Sequence, residues 1–393
     1  MRVLHVIPSI NPNLGGPTQV VLNLVKTLRH HKIDAQIATT QSNHLPEYSD
    51  IPIHFFSPFK SPLKTPHLTQ DQVFLFSPEF TQWLWQNIHQ YDILDNHYLF
   101  CYLPSCASFI ARRHRIPYTI RTQGQLEPWA LEQSTLKKQL YSLLIERKNL
   151  DHAAAIHCTS LGEAQDVRNF GIQTPTITLP LGVDLPIINP EAKQKLRQLY
   201  NIDLTTPIIV FLSRLHYKKR PDLLLQAVSQ LRDKNYQFHL ILAGTAEPDY
   251  QIYLENLITS LDLTSHVTLP GFVAGHSKNL LLQGSDLFVL PSYSENFGIA
   301  VAEAMAASLP VIITPGVQIA PDISAAEAGL VVQGEIEPLT EAIQKILQNP
   351  QLGQTLGKNG RKLVTEKYSW DIITQKLITA YSAIIHKQKI PQF

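Results

Sequence analysis

Residues 284–315 read GSDLFVLPSYSENFGIAVAEAMAASLPVIITP, and no other stretch of the 393-residue chain restricts the fold as much. A buried-strand pattern, Asp286–Pro291, passes through the polar turn Ser292–Asn296 into an apolar helix beginning near Phe297-Gly298. A second strand, Val311–Thr314, follows. Strand, loop, helix and strand make a βαβ unit with its loop at the carboxyl end of the first strand. Open α/β sheets gather their ligands at that edge. The helix start offers unpaired amides and a positive dipole end, which suits a phosphate.

Two carboxylates flank this anion site, Glu295 in the turn and Glu303 in the helix. From Gly298 to Glu303 is about 7.5 Å of helix rise. Carboxylates that near a diphosphate repel it, so they should face neutral hydrogen-bond donors, such as sugar and ribose hydroxyls. A nucleotide-sugar has these at both ends, with phosphates between. On spacing alone the two residues read equally well as an ordinary helix charge and a solvated turn residue.

The run Glu295-Asn-Phe-Gly-Ile-Ala-Val-Ala-Glu303, continued by Ala-Met-Ala-Ala-Ser-Leu-Pro-Val, resembles the E-x7-E signature of retaining GT-B glycosyltransferases. Among these it is most similar to the GT4 family (glycosyl transferases group 1). That family usually has Gly in the turn and in A-x-G-x-P, where this chain has Asn296 and Ser308. Asn is itself a turn residue, and Ser308 falls at a helix C-terminus, where Gly would serve as cap.

A chain of this length with 44% hydrophobic residues can build two ordinary cores. A formal net charge of +1 does not point to a nucleic-acid-binding surface. Cys101, Cys106 and Cys158 show neither paired spacing nor a metal pattern and fit a reduced, cytoplasmic protein. The apolar start Val3–Ile10 is short and leads into a Gly/Pro loop, unlike a signal peptide. No run approaches the roughly 18 apolar residues of a membrane span. Peripheral contact with the inner face of a membrane stays open.

The first half alternates strands and helices. Arg2–Pro8 reads as a strand, Ser9–Pro17 as a loop, and a helix follows from Thr18, a candidate N-cap, with Val20, Val21, Leu24, Val25 and Leu28 on one face. Gly15-Gly16 would let the backbone approach a ligand closely; alone, a Gly-Gly pair is more often only a turn. Further strands are expected at Ile33–Ala38, Ile51–Phe56, Asp92–His97, Pro117–Arg121, Ala154–Ser160 and Thr176–Leu179, with a helix around Glu79–His89. A helix over Leu136–Leu150 would carry Lys137, Lys138, Arg147 and Lys148 beside Leu140, Tyr141, Leu144 and Ile145. That face reads as solvated, or as one that could lie on an anionic bilayer.

Asp184–Pro190 is the linker, and a polar helix Glu191–Tyr200 leads into a second α/β run. Pro207–Leu212 is a strand, Ser213–Arg220 a basic loop, and Pro221–Lys234 a helix with Pro in its first turn. Strands follow at Gln237–Ala243, His266–Phe272 and Leu330–Gln333. Helices are expected near Ser277–Gln283, over Pro338–Leu347 and Leu352–Lys367, and from Tyr368-Ser-Trp370 to about His386.

The resemblance implies roles at matching positions. Arg214 and Lys219 match the Arg and Lys of the family's G-R-L-x-x-x-K-G motif, which hold the donor diphosphate; Ser213 and Arg220 stand where the family has Gly. Fixed cations there would stabilise a leaving nucleoside diphosphate without a metal. Gly271, Phe272 and Val273 match a G-F-V turn whose backbone borders the base. Glu303 would hold the ribose, Phe297-Gly298 with Asn296 the phosphate and sugar, and Glu295 the sugar hydroxyls. Gly15-Gly16 match a loop between donor diphosphate and acceptor. His97 matches the second His of an H-x-H near the transferred sugar, with Asp95 in place of the first, and with Arg121 it is placed on the acceptor side. Pro180-Leu-Gly-Val-Asp184 resembles the family's interdomain P-N-G-V-D.

The expected architecture is therefore α/β and GT-B: Rossmann-like domains at 1–185 and 190–368, a cleft between them, and a helix over 370–387 crossing back to the first. The expected function is retaining transfer of a sugar, of hexosyltransferase type, from a nucleotide-diphosphate sugar to a glycan or lipid-linked acceptor in cell-surface polysaccharide or glycolipid synthesis. No cofactor or metal is expected. A nucleotide-sugar epimerase, a non-catalytic sugar- or nucleotide-binding protein and a catalytically dead relative remain alternatives. Base, sugar, acceptor and oligomeric state are not legible.

Overall fold

In the computed structural model, residues 1–11, 16–40, 50–58, 76–128 and 145–393 are described. They divide into two compact units. The first comprises Met1–Gly182 with Trp370–Phe393, and the second Val183–Ser369.

The first unit is built on strands β1 (Arg2–Val6), β2 (Asp34–Thr40), β3 (Ile53–Phe56), β4 (Ile93–His97), β5 (Tyr118–Arg121), β6 (Ala155–Cys158) and β7 (Thr176–Thr178). Their order is β3-β2-β1-β4-β5-β6-β7, every pair parallel. β4 and β5 are buried along their whole length, as strands covered on both faces must be. Leu4, Leu94, Ile120 and Ile156 anchor the core under the helices Pro78–Asn87 and Tyr102–His114. The last helix, Trp370–Ile385, belongs to this unit, and its indole lies so close to Gly182 that a Cβ there would come within 2.1 Å of the ring.

The second unit holds β8 (Ile208–Leu212), β9 (His239–Ala243), β10 (Val267–Gly271), β11 (Leu287–Leu290), β12 (Val311–Ile313) and β13 (Gly329–Val331). Their order is β10-β9-β8-β11-β12-β13, again all parallel. Each sheet reverses its winding once, between β1 and β4 and between β8 and β11. Those reversals are the switch points where doubly wound sheets open a crevice at the strand carboxyl ends.

Several expectations need correction. Helices Tyr102–His114, Leu161–Asn169, Pro248–Ser260 and Ala320–Ala325 were not read from the sequence. Three of them carry a proline in the first turn, which a search for breakers misreads although a helix start tolerates it. Thr18 is not an N-cap: the helix Gly16–His30 starts two residues earlier, and the Thr18 hydroxyl donates to the Asn11 carbonyl at 3.3 Å. Gly15 and most of the helix expected at Leu136–Leu150 lie outside the described residues, which resume at Ile145 just before a short helix at Arg147–Asp151.

Candidate functional site

The β8–β11 switch point brings the basic loop and the turn that carries Glu295 together. β8 ends at Leu212, and the loop after it is fixed from both sides: the Ser213 amide donates to Ala243 (3.1 Å) and the Leu215 amide to Thr245 (2.8 Å). Gly244 has φ +149°, and a Cβ on it would lie 1.8 Å from the Ser213 carbonyl oxygen, so this approach requires glycine. The Tyr293 amide donates to the Lys218 carbonyl at 2.9 Å, joining the basic loop to the turn after β11.

The loop's cations have separate fates. Arg214 is exposed, with no hydrogen-bond partner among the described residues. Lys219 is buried and its ammonium donates to Glu295. Arg220 has φ +55° at the position where the resemblance expects glycine, and its guanidinium donates to the Gly334 carbonyl while lying 4.2 Å from the centroid of the Tyr293 ring. Its charge fastens the loop. His216 takes the Lys218 amide on its ring at 3.2 Å, and burial, together with Arg214, Lys219 and Lys218, lowers its pKa.

Glu295 is held by backbone as well as by Lys219. Its amide donates to Gly316 (2.9 Å) and its carbonyl accepts from Gln318 (3.1 Å), forming a short parallel bridge. Gly298, at φ +83°, turns the chain into the helix Ile299–Ala306, whose first turn has no side-chain cap. The Val301 and Ala302 amides close onto the Gly298 carbonyl, and the Ile299 and Ala300 amides, without a partner among the described residues, are left for whatever lies before the helix. Inside this helix Glu303 accepts from Lys278 at 2.6 Å. The helix ends with Ser308 at φ +63°, whose amide donates to Met305 while that of Leu309 donates to Ala304. This is a Schellman closure with Ser in the glycine position.

Gly271, at φ +75°, ends β10, and Gly275, at φ +53°, starts the helix Gly275–Gly284; a Cβ on either would meet nothing within 4 Å. Between them Phe272 is 62% exposed and Val273 half-buried. Gly271, Phe272 and Val273 thus border open space ahead of the helix Gly275–Gly284, whose Lys278 reaches Glu303.

In the first unit the switch point holds a buried polar cluster. Asp95 of β4 accepts from Arg121 Nε (2.8 Å), the Thr119 hydroxyl (2.8 Å) and the Tyr381 hydroxyl (2.6 Å). His5 Nδ1 lies 3.1 Å from His97 Nε2 and 3.4 Å from the Asp95 carboxylate. His157 Nε2 lies 3.5 Å from Arg121 and 3.2 Å from the Leu179 carbonyl. Burial would raise the pKa of Asp95, but Arg121 first, then the histidines, hold it well below the carboxylate range. Burial lowers His5 to about 4 and His157 to about 3, and takes His97 well below its ordinary value despite Asp95. His97 and Arg121, expected on an acceptor surface, are interior here: His97 is wholly buried and Arg121 nearly so. Of the other acceptor-side residues, Gly16 opens the first helix.

Among the described residues, His5, Asp95 and His97, and separately His30, His31 and Asp371, lie close enough to share an ion. In the first group Asp95 is already committed to Arg121, Thr119 and Tyr381. Sequence reasoning missed His5, His157 and Tyr381, whose approach depends on strand order and on the return of the last helix. It also missed Lys278, five residues beyond the Val273 that it did single out.

Two families match the chain. Glycosyl transferase 4-like domain covers residues 15–182, and Glycosyl transferases group 1 covers residues 192–363. A D-inositol 3-phosphate glycosyltransferase from Pseudarthrobacter chlorophenolicus is 22% identical over 405 residues, 98% of this chain and 94% of that protein. An uncharacterized glycosyltransferase from Methanocaldococcus jannaschii is 29% identical over 192 residues, so that alignment spans about half of either chain (49% and 48%). The crystal structure of Anabaena Alr3699/HepE in complex with UDP superposes with a TM-score of 0.79 at 21% identity, covering 98% of this chain and 100% of that one. The two sheets with their switch points are thus the two Rossmann-like domains of GT-B glycosyltransferases, and the chain belongs to the glycosyl transferases group 1, the GT4 type.

Proposed function

We propose that the protein transfers a sugar from a nucleoside-diphosphate sugar to an acceptor hydroxyl with retention at the anomeric carbon. The observation that carries this reading is the meeting of an uncapped helix start with an exposed arginine and two lysine-paired carboxylates at one switch point. The amides ahead of Ile299 and the guanidinium of Arg214 would take the diphosphate. Glu303 would take the ribose diol, and Glu295 the donor-sugar hydroxyls. A relative named a D-inositol 3-phosphate glycosyltransferase fits glycosyl transfer, and a structural neighbour solved with UDP fits a donor of this class.

Lys219 answers a problem posed by the sequence, because a bare Glu295 would repel the diphosphate and its paired form is locally neutral. As the donor bond breaks, negative charge grows on the leaving phosphate. Arg214 and the helix amides are set in advance to stabilise it while Lys219 offsets Glu295, so we propose that the step needs no divalent ion. The acceptor proton would pass to a phosphate oxygen on the face from which the diphosphate departs, and no side-chain nucleophile is assigned. The first unit would supply the acceptor side, around the start of helix Gly16–His30.

The test is to incubate the protein with UDP-, GDP- and ADP-sugars in EDTA or magnesium and follow the released sugar by proton NMR. Slow release of nucleoside diphosphate, with the sugar first appearing in the donor's own anomeric form, supports the reading. A first-formed sugar of inverted configuration overturns retention. A changed sugar still attached to its nucleotide would favour an epimerase.

A further inference from the structure

Lys278 and Glu303 form an ion pair that neither helix needs. Lys278 lies in the first turn of Gly275–Gly284, where a cation opposes the positive dipole end. Glu303 lies in the last turn of Ile299–Ala306, where an anion opposes the negative end. Each charge therefore sits at the end that destabilises its own helix. The pair is 2.6 Å long, with side chains 27% and 23% exposed, and a pair so open to water adds little to stability. Lys278 engages Oε1 of Glu303, and Oε2 has no hydrogen-bond partner among the described residues.

The surroundings are those of an open site. Gly271 and Gly275 hold left-handed backbone with free space where a side chain would be, and exposed Phe272 stands between them. A carboxylate that is to accept two hydrogen bonds from a vicinal diol must be ionised and fixed in rotation. Lys278 fixes the rotation of Glu303 from a neighbouring helix, and it cancels the charge that would repel a phosphate nearby.

We infer that Lys278 is a positioning residue for the donor: it orients the Glu303 carboxylate towards the 2′- and 3′-hydroxyls of the nucleotide ribose. This rests on the donor reading above. Lys278 acts through Glu303, so its contribution depends on the diol and not on the base or the phosphates.

The experiment is calorimetric titration of UDP, GDP and ADP, and of their 2′,3′-dideoxy forms, into the wild-type protein, Lys278→Ala, Lys278→Arg and Glu303→Gln. Lys278→Ala should weaken the preferred ribonucleotide roughly tenfold, as loss of one charge-assisted hydrogen bond does. It should leave the dideoxy form within twofold of wild type, and Lys278→Arg should recover most of the affinity. In Glu303→Gln, a further Lys278→Ala change should have no added effect. Wild-type affinity in Lys278→Ala, or an equal loss for ribo- and dideoxynucleotides, would overturn the inference while leaving the donor site standing. Failure of the wild-type protein to bind any of the three diphosphates would overturn the donor reading itself, and the inference with it.

Discussion

The hydroxyl of Tyr381, in the last helix, donates to the carboxylate of Asp95 in β4 at 2.6 Å, across 286 residues of sequence. Both groups are wholly buried, and the bond ties the returning helix to the middle of the first sheet. Burial, with Asp95 close by, pushes the Tyr381 hydroxyl well above its ordinary pKa, so it remains a donor.

Tyr381→Phe should therefore destabilise the first unit by about 1–2 kcal/mol, the cost of one bond to a buried charge that keeps its other partners. Chemical denaturation followed by circular dichroism reads this. Nucleotide binding in the second unit should be unchanged, since no described contact of Tyr381 lies there.

The same cluster sets an acid limit. His5, at about 4, and His157, at about 3, bind protons in the unfolded chain near pH 6.5 that the folded chain refuses. Their stabilising effect is complete above about 6.5 and is lost as pH falls towards the folded values, at about 1.4 kcal/mol per unit of displacement. Asp95 also has a lowered pKa, so its contribution holds above its ordinary value and disappears only in stronger acid. The melting temperature should be flat from pH 8 to 7 and fall steadily from 6.5 to 4.5. A profile flat to 4.5 would contradict the buried neutral histidines.

The basic loop separates binding from fastening. Arg214→Ala and Lys219→Ala together should weaken diphosphate binding at least about tenfold and lower turnover. Arg220→Ala, which loses Gly334 and Tyr293, should lower the melting temperature with a smaller effect on affinity. Thermal shift and titration on the same samples distinguish the two, and full activity in the double variant would sink the diphosphate assignment.

Ser308 offers a gain. It holds φ +63° at the end of helix Ile299–Ala306, and Ser308→Gly removes a side chain from that left-handed position. A stabilisation of about 1 kcal/mol is expected, offset in part by the greater freedom of glycine in the unfolded chain. Urea denaturation measures it.

Both sheets were legible in the sequence because their strands are short apolar runs, buried on both faces, with turn residues at their carboxyl ends. The Glu295–Glu303 stretch was legible for the same local reason. What it could not show was pairing. Lys219 meets Glu295 across 76 residues and Lys278 meets Glu303 across 25, and only the strand order brings them together. Arg220 read only as part of a basic loop because charge is visible in sequence, while its bond to Gly334, 114 residues on, is not. His97 and Arg121 looked like edge residues at strand ends. Their burial follows from the neighbouring β1 and β6 and from the last helix, which local periodicity does not describe.

The most direct test of the central claim, a donor diphosphate held at the β8–β11 switch point, is titration of UDP, GDP and ADP into wild-type protein and Glu303→Ala, each in EDTA and in magnesium. The account expects one diphosphate to bind the wild type with the same affinity in both buffers, and to bind Glu303→Ala at least about tenfold more weakly. Equal binding to the two proteins would contradict the site, and binding seen only with magnesium would contradict the metal-independent reading of its charge.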